Sequence, residues 1–251
     1  FLLNYPLANI LSVPLSVASL TYEMTFSSIV LLFICVGAIG VYIWLRQLYP
    51  ASSVQSRLFT VCAYISTPFV WNVIFVRGSL GELMAYALFP WVLHVFGIVY
   101  KPANNHVPVI VAAVVYSTFL LSHNVSAVIG SFALILWLLF AFSFHKAAVI
   151  KWLVAGVLGI ALASWFWIPA LLESSETVVF QASNNTEAIR HLISLPQAIA
   201  GPLGFGYSFA GTPDSMSFAI SPLLWLGILL AIVHMTLPLL SAKSRLSPMP
   251  R

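Results

Sequence analysis

Residues 24–45 read MTFSSIVLLFICVGAIGVYIWL, a run without a single Lys, Arg, Asp or Glu. A helix rises about 1.5 Å per residue, so roughly 20 such residues cross the hydrocarbon core of a bilayer. A membrane strand would alternate apolar and polar positions, and this run does not. It therefore reads as a transmembrane helix, and its reading sets the fold class. Six further stretches have the same character: 58–76, 80–100, 107–122, 124–144, 150–171 and 217–240. Residues 7–20 are apolar but shorter and carry Pro14, which suits a re-entrant or interfacial half-helix. The expectation is an all-α polytopic transmembrane helical bundle. It forms a single membrane domain over 1–251, with about seven spans, an N-terminal half-helix and one long extracytoplasmic loop. Pro68, Pro90, Pro169, Pro222 and Pro238 fall inside these runs, where each removes a backbone donor and favours a kink.

The whole composition agrees with that reading. Of 251 residues, 61% are hydrophobic and 6% charged, with a mean hydropathy of +1.02. A soluble domain carries about 25% charged residues. Ten Lys+Arg and six Asp+Glu cannot solvate a globule of this size, which excludes a soluble domain, a disordered segment and a nucleic-acid-binding module. The net charge of +4 comes from basic residues scattered singly, so no nucleic-acid partner is implied; the partner is the lipid bilayer. Cys35 and Cys62 both lie in apolar runs, and neither a disulfide frame nor a metal cluster is indicated. The chain opens at Phe1 within an apolar stretch, which reads as part of a longer protein.

Lys and Arg collect on the cytoplasmic side of membrane proteins. With the 46–57 loop inside and each span flipping the side, Arg46, Arg57, Lys101, Lys146, Lys151, Lys243, Arg245 and Arg251 all fall inside. Arg77 and Arg190 fall outside, together with all six acids: Glu23, Glu82, Glu173, Glu176, Glu187 and Asp214. The extracytoplasmic face is thus where polar chemistry collects. The longest hydrophilic stretch, 173–216, lies there too, and its Gly201, Gly204, Gly206, Gly211, Pro196, Pro202 and Pro213 argue for an ordered, turn-rich loop.

Four groups of residues carry the candidate chemistry. Arg77-Gly78-Ser79-Leu80-Gly81-Glu82 joins two spans at the outer boundary. Glu82 falls in a first helical turn, where the helix dipole favours an anion. Arg77 fits either a salt bridge to Glu82 or an anionic head group, which its bidentate fork suits. Leu121-Ser122-His123-Asn124 closes another span at the same boundary; His123 and Asn124 suit either acid–base chemistry or a helix cap. Trp165-Phe166-Trp167-Ile168-Pro169-Ala170 leads to Glu173 and reads as an aromatic belt or the wall of a sugar or isoprenoid site. In the long loop, His191, Gln197 and Asp214 are the polar candidates. Asn124-Val125-Ser126 and Asn184-Asn185-Thr186 match the glycosylation sequon. There is no G-x-S-x-G elbow, H-E-x-x-H pair, phosphate loop or dinucleotide fingerprint. His94, His106, His145 and His234 are isolated, so no metal site is read from the residues.

Six pieces in chain order resemble a specific family. They are Tyr5-Pro6-Leu7; Val76-Arg77-Gly78 followed by Glu82, Ala85 and Pro90; Leu121-Ser122-His123-Asn124; Phe166-Trp167-Ile168-Pro169-Ala170 with Glu173; His191 with Gln197; and Gly204-Phe205-Gly206-Tyr207-Ser208 with Met216-Ser217-Phe218. The series looks like the bacterial and archaeal membrane proteins labelled 6-pyruvoyl-tetrahydropterin synthase-related, which are in turn similar to type C glycosyltransferases. Pterin synthase proper is a soluble enzyme that holds zinc in a histidine cluster, and this chain has no two histidines close in sequence to build one. The resemblance therefore implies no pterin activity. It implies sugar transfer from a polyprenyl-phosphate donor at the extracytoplasmic face of a cytoplasmic membrane. An acidic residue in an outer loop before Tyr5 would then serve as base or metal-linked acid, so the catalytic residue is unknown here. No cofactor is evident, and a divalent metal belongs to the longer protein if anywhere. By the same resemblance, Arg77 faces the donor phosphate while Glu82, His123 and Glu173 shape the acceptor pocket. A transporter or flippase, or a structural subunit handling an envelope glycan or lipid precursor, is the alternative.

Overall fold

A computed structural model of the chain describes residues 5–100, 106–142, 146–173, 175, 193–201, 204–208 and 215–244. In order, the helices are α1 (Pro6–Val17), α2 (Tyr22–Leu48), α3 (Val54–Ile65), α4 (Pro68–Asn72) running into a π-helical turn (Val73–Arg77), α5 (Leu80–Val99), α6 (Val107–Leu120), α7 (Asn124–Ala141), α8 (Lys146–Leu172), α9 (Leu195–Ala200) and α10 (Pro222–Ser244). Among the described residues there is no strand, only an isolated antiparallel bridge between Phe205 and Met216. Local chemistry explains the helix starts. The Thr21 hydroxyl accepts from Met24 N–H at 3.3 Å and the Ser53 hydroxyl from Ser56 N–H at 3.1 Å. Prolines open α1, α4, α6 and α9, where the missing N–H has no partner to lose.

Five segments are long and apolar enough to cross a membrane: Tyr22–Leu48, Val54–Arg77, Leu80–Val99, Asn124–Ala141 and Lys146–Leu172. Pro6–Val17, Val107–Leu120 and Pro222–Val233 are shorter apolar helices. The stretch 217–240 begins helix only at Pro222, because Ser217–Ser221 is spent on turns whose hydroxyls cap neighbouring amides. Within 173–216 the turn-rich reading needs one amendment, since Leu195–Ala200 forms a short helix closed by a Ser194–Gln197 capping box.

α5 is the hub. Its Ala85, Val92, Leu93 and Phe96 pack with α6, α7 and α8, while Leu83, Met84 and Ala87 pack with α1, α2 and α4. Small residues let the backbones approach, which drives helix association where lipid has removed the hydrophobic effect. A Cβ on Gly37 would lie 3.3 Å from Ala87 Cα, Gly40 lies under the Trp91 indole, and Gly97 under Gln47. That order of contacts sets α2 parallel to α5. Gly159 of α8 packs likewise on Tyr116 of α6. On the outside Ile129, Phe132, Phe140, Leu153 and Val157 are exposed, a surface that suits hydrocarbon and would aggregate in water.

The stretch 58–76 is not one continuous helix. It breaks at Ser66-Thr67, where Thr67 adopts φ −61°, ψ 138° ahead of Pro68. The break leaves Tyr64 O, in the last turn of α3, without a helical donor, and Pro90 inside α5 orphans Tyr86 O. Two tyrosines repair both losses. The Tyr86 hydroxyl donates to Tyr64 O at 2.9 Å, and the Tyr64 hydroxyl donates to Tyr86 O at 2.6 Å. Their rings stack with centroids 4.1 Å apart, and Thr67 Oγ1 adds a second bond to Tyr64 O at 3.2 Å. The carbonyls left open at Pro90 of α5 and at the α3–α4 break are thus satisfied across the two elements.

Candidate functional site

The π-helical turn ends at Gly78, whose φ of +58° is a conformation glycine adopts without strain. This left-handed residue reverses the chain between Arg77 and the first turn of α5, and so brings Glu82 back under Arg77. Arg77 Nη2 lies 2.6 Å from Glu82 Oε1. The pair is asymmetric: the Glu82 side chain is 6% exposed and that of Arg77 51%, so the guanidinium presents its remaining donors outward.

His123, from the turn between α6 and α7, completes the corner. Its Nε2 stands 3.5 Å from Glu82 Oε1. Its Nδ1 receives the Ser126 N–H at 3.2 Å and lies 2.9 Å from Ser126 Oγ, so the ring serves as the N-cap of α7. A backbone N–H can only donate, so Nδ1 is the unprotonated nitrogen. The neutral ring then carries its hydrogen on Nε2, facing Glu82. Burial first, and then the Arg77 charge, hold the His123 pKa below its ordinary value.

Tyr5 covers the corner from α1's entry, its ring centroid 4.3 Å from that of His123. Burial pushes its phenol pKa up; the Glu82 charge adds to this and Arg77 opposes it. Gly81 explains the tight fit. A Cβ there would fall 2.6 Å from both Ser122 O and the Tyr5 ring, so any larger residue would force the α6–α7 turn away from α5. Leu7 N–H bonds Leu121 O at 3.4 Å and seats α1 on the same turn.

Of the residues expected at a site, Arg77, Glu82 and His123 converge. Asn124 follows at the first position of α7, its Oδ1 buried with no hydrogen-bond partner. Glu173 is exposed just beyond α8 and its side chain forms no ion pair among the described residues. Gln197 accepts from Ser194 N–H at 2.7 Å as part of the α9 capping box, a structural use. His191, Asp214 and the Asn184 sequon lie outside the described residues. Tyr5 carries a ring contact that residue type alone did not announce. Asn72 was also missed: it is buried, gives its Nδ2 to Ser217 O at 2.6 Å and leaves Oδ1 unpartnered. A lone Asn in an apolar run is the signal that would have found it.

Among the described residues no three His, Cys, Asp or Glu side chains stand together to hold a metal. At the corner one carboxylate oxygen serves Arg77 and Nδ1 serves Ser126, so this donor set does not fit a divalent cation. No chemistry is routed through one.

Two apolar cavities lie between α6, α7 and α8, of about 360 and 290 Å³, and share Tyr116, Ser131, Ile135 and Ile160. The second reaches Leu120 and Ala127, one helical turn from the His123 corner, and is lined also by Trp167.

Membrane-length apolar helices, an apolar exterior and internally satisfied kinks define an integral α-helical membrane protein. The chain belongs to the 6-pyruvoyl-tetrahydropterin synthase related domain family of membrane proteins, whose model matches residues 5–240. No curated protein and no solved structure matches it.

Proposed function

We propose that this protein acts on a polyprenyl-phosphate-linked sugar at the extracytoplasmic face of a cytoplasmic membrane, in the manner of a type C glycosyltransferase. The observation that carries the reading is the half-exposed Arg77 guanidinium, paired with a buried Glu82 that His123 also faces, one helical turn from an apolar cleft. Glu82 fixes one edge of the guanidinium and leaves the other to meet phosphate oxygens bidentately. The cleft between α7 and α8 suits the hydrocarbon chain of the same donor. In transfer, the bond from the sugar's anomeric carbon to the phosphate oxygen breaks, one to an acceptor hydroxyl oxygen forms, and the hydroxyl's proton passes to the released lipid phosphate. Arg77 then neutralises the phosphate that stays on the lipid, while Glu82, His123 and Glu173 border the acceptor side.

The test is sugar transfer by purified protein from synthetic polyprenyl-phosphate donors. Arg77→Ala and Glu82→Gln are expected to lower transfer about a hundredfold, the scale of losing one preorganised electrostatic contact. Unchanged transfer in both variants would remove the site. The broken α3–α4 segment with its π-helical turn favours a second reading, a flippase for a lipid-linked envelope precursor, since transporters use discontinuous helices. Movement of the lipid across proteoliposomes without bond cleavage would select that reading.

A further inference from the structure

At the other end of the bundle, Arg57 near the start of α3 is 9% exposed, and no carboxylate pairs with it among the described residues. Its Nε donates to Ser52 Oγ at 2.9 Å, and Nη2 donates to Pro50 O at 3.1 Å and Ser52 O at 2.5 Å. The guanidinium carbon also sits 5.7 Å from the centre of the Tyr42 ring. Every one of these partners is neutral. The two N–H groups of Nη1 have no acceptor among the described residues. A guanidinium cannot shed its proton, and a buried charge without a counter-ion is costly.

Arg57 forms part of the wall of a cavity of about 550 Å³, lined also by Leu45, Leu48, Ser52, Ser56 and Thr60. Ser52 Oγ donates to Tyr49 O and Thr60 Oγ1 to Ser56 O, which leaves the Ser56 hydroxyl as the uncommitted donor in the wall of the same cavity. We propose that this cavity binds the phosphate head group of an anionic membrane lipid. Nη1 of Arg57 supplies the charge-assisted bonds and Ser56 a further donor. Charge complementarity selects an anion. Leu45 and Leu48, at the end of the membrane-length α2, select one that carries a hydrocarbon chain over a free ion. The site lies at the opposite end from Arg77 and does not depend on the function proposed above.

The experiment uses the chain purified and delipidated in neutral detergent, titrated with brominated phosphatidylglycerol, with brominated phosphatidylcholine and with inorganic phosphate as competitor. Wild type is expected to prefer phosphatidylglycerol by about tenfold, with millimolar phosphate competing poorly. Arg57→Gln and Ser56→Glu are each expected to abolish the preference. Ser56→Glu keeps the test valid if Arg57→Gln fails to fold: it leaves the loop contacts of Arg57 intact and supplies a capping-box partner for Ser53, while placing a carboxylate in the cavity. Equal binding of the two lipids by wild type, a preference retained in folded Ser56→Glu, or displacement by phosphate as readily as by lipid would each overturn the proposal.

Discussion

The imidazole of His123 accepts at Nδ1 from the Ser126 backbone and faces Glu82 through Nε2, so a proton added to the ring lands where α7 needs a lone pair. Burial and the Arg77 charge hold its pKa below the ordinary value of 6.5. The unfolded chain therefore takes up this proton at a higher pH than the folded one does. Stability from the neutral ring is fully present above about pH 6.5 and is lost as pH falls below it toward the folded value. The thermal midpoint in detergent is expected to drop across that interval in wild type. His123→Asn, which retains a capping acceptor without a titrating group, is expected to flatten the drop. An equal slope in the variant would remove His123 as its source. At this scale the sequence showed which residues are polar and at which boundary they sit. The Arg77–Glu82 salt bridge was one of two readings that segment left open, beside an anionic head group for Arg77, and the structure shows the pair. The partner of His123 was not legible, because α5 and the α6–α7 turn meet only through tertiary packing at Gly81.

Helices that carry proline in lipid must have the orphaned carbonyl answered from elsewhere. The sequence places Pro68 and Pro90 inside spans, and with them the expectation of kinks. It places Tyr64 and Tyr86 four residues ahead of those prolines but cannot show that they face each other, since that needs the register of α3 against α5. Tyr64→Phe leaves Tyr86 O without its donor and is expected to cost about 1 kcal/mol, the scale of one buried interhelical bond. In a Pro90→Ala background residue 90 regains an N–H for Tyr86 O, so the cost of Tyr64→Phe should shrink toward zero. Unfolding in mixed detergent measures all members of the cycle. Equal costs with and without the proline would show that the hydroxyls serve some other purpose. The break between α3 and α4 was hidden for the same reason: a proline in a span is compatible with a gentle bend or a full stop, and the local Ser66-Thr67 turn decides between them.

Over the whole molecule, sixteen charged residues in an apolar chain carry most of the positional information. Gln47 against Gly97 puts the Arg46 end of α2 beside the end of α5, and Trp152 stacked on Tyr100 puts Lys151 there too. Arg77, Glu82 and His123 sit at the opposite end. This separation was legible from the alternation of spans with loops, because every crossing reverses direction. The sequence did not show that α5 is the most enclosed helix, since its composition matches that of helices facing lipid. Which end faces out is the claim on which the proposed sugar-transfer site rests, and cysteine labelling in intact cells tests it. With Cys35 and Cys62, both exposed, replaced by alanine, single cysteines are placed at Ser79, at positions 183–187 and at positions 52–56. A membrane-impermeant maleimide is expected to label Ser79→Cys and 183–187 from outside and to reach 52–56 only after permeabilisation. The reverse pattern would contradict the assigned orientation and remove the extracytoplasmic site with it.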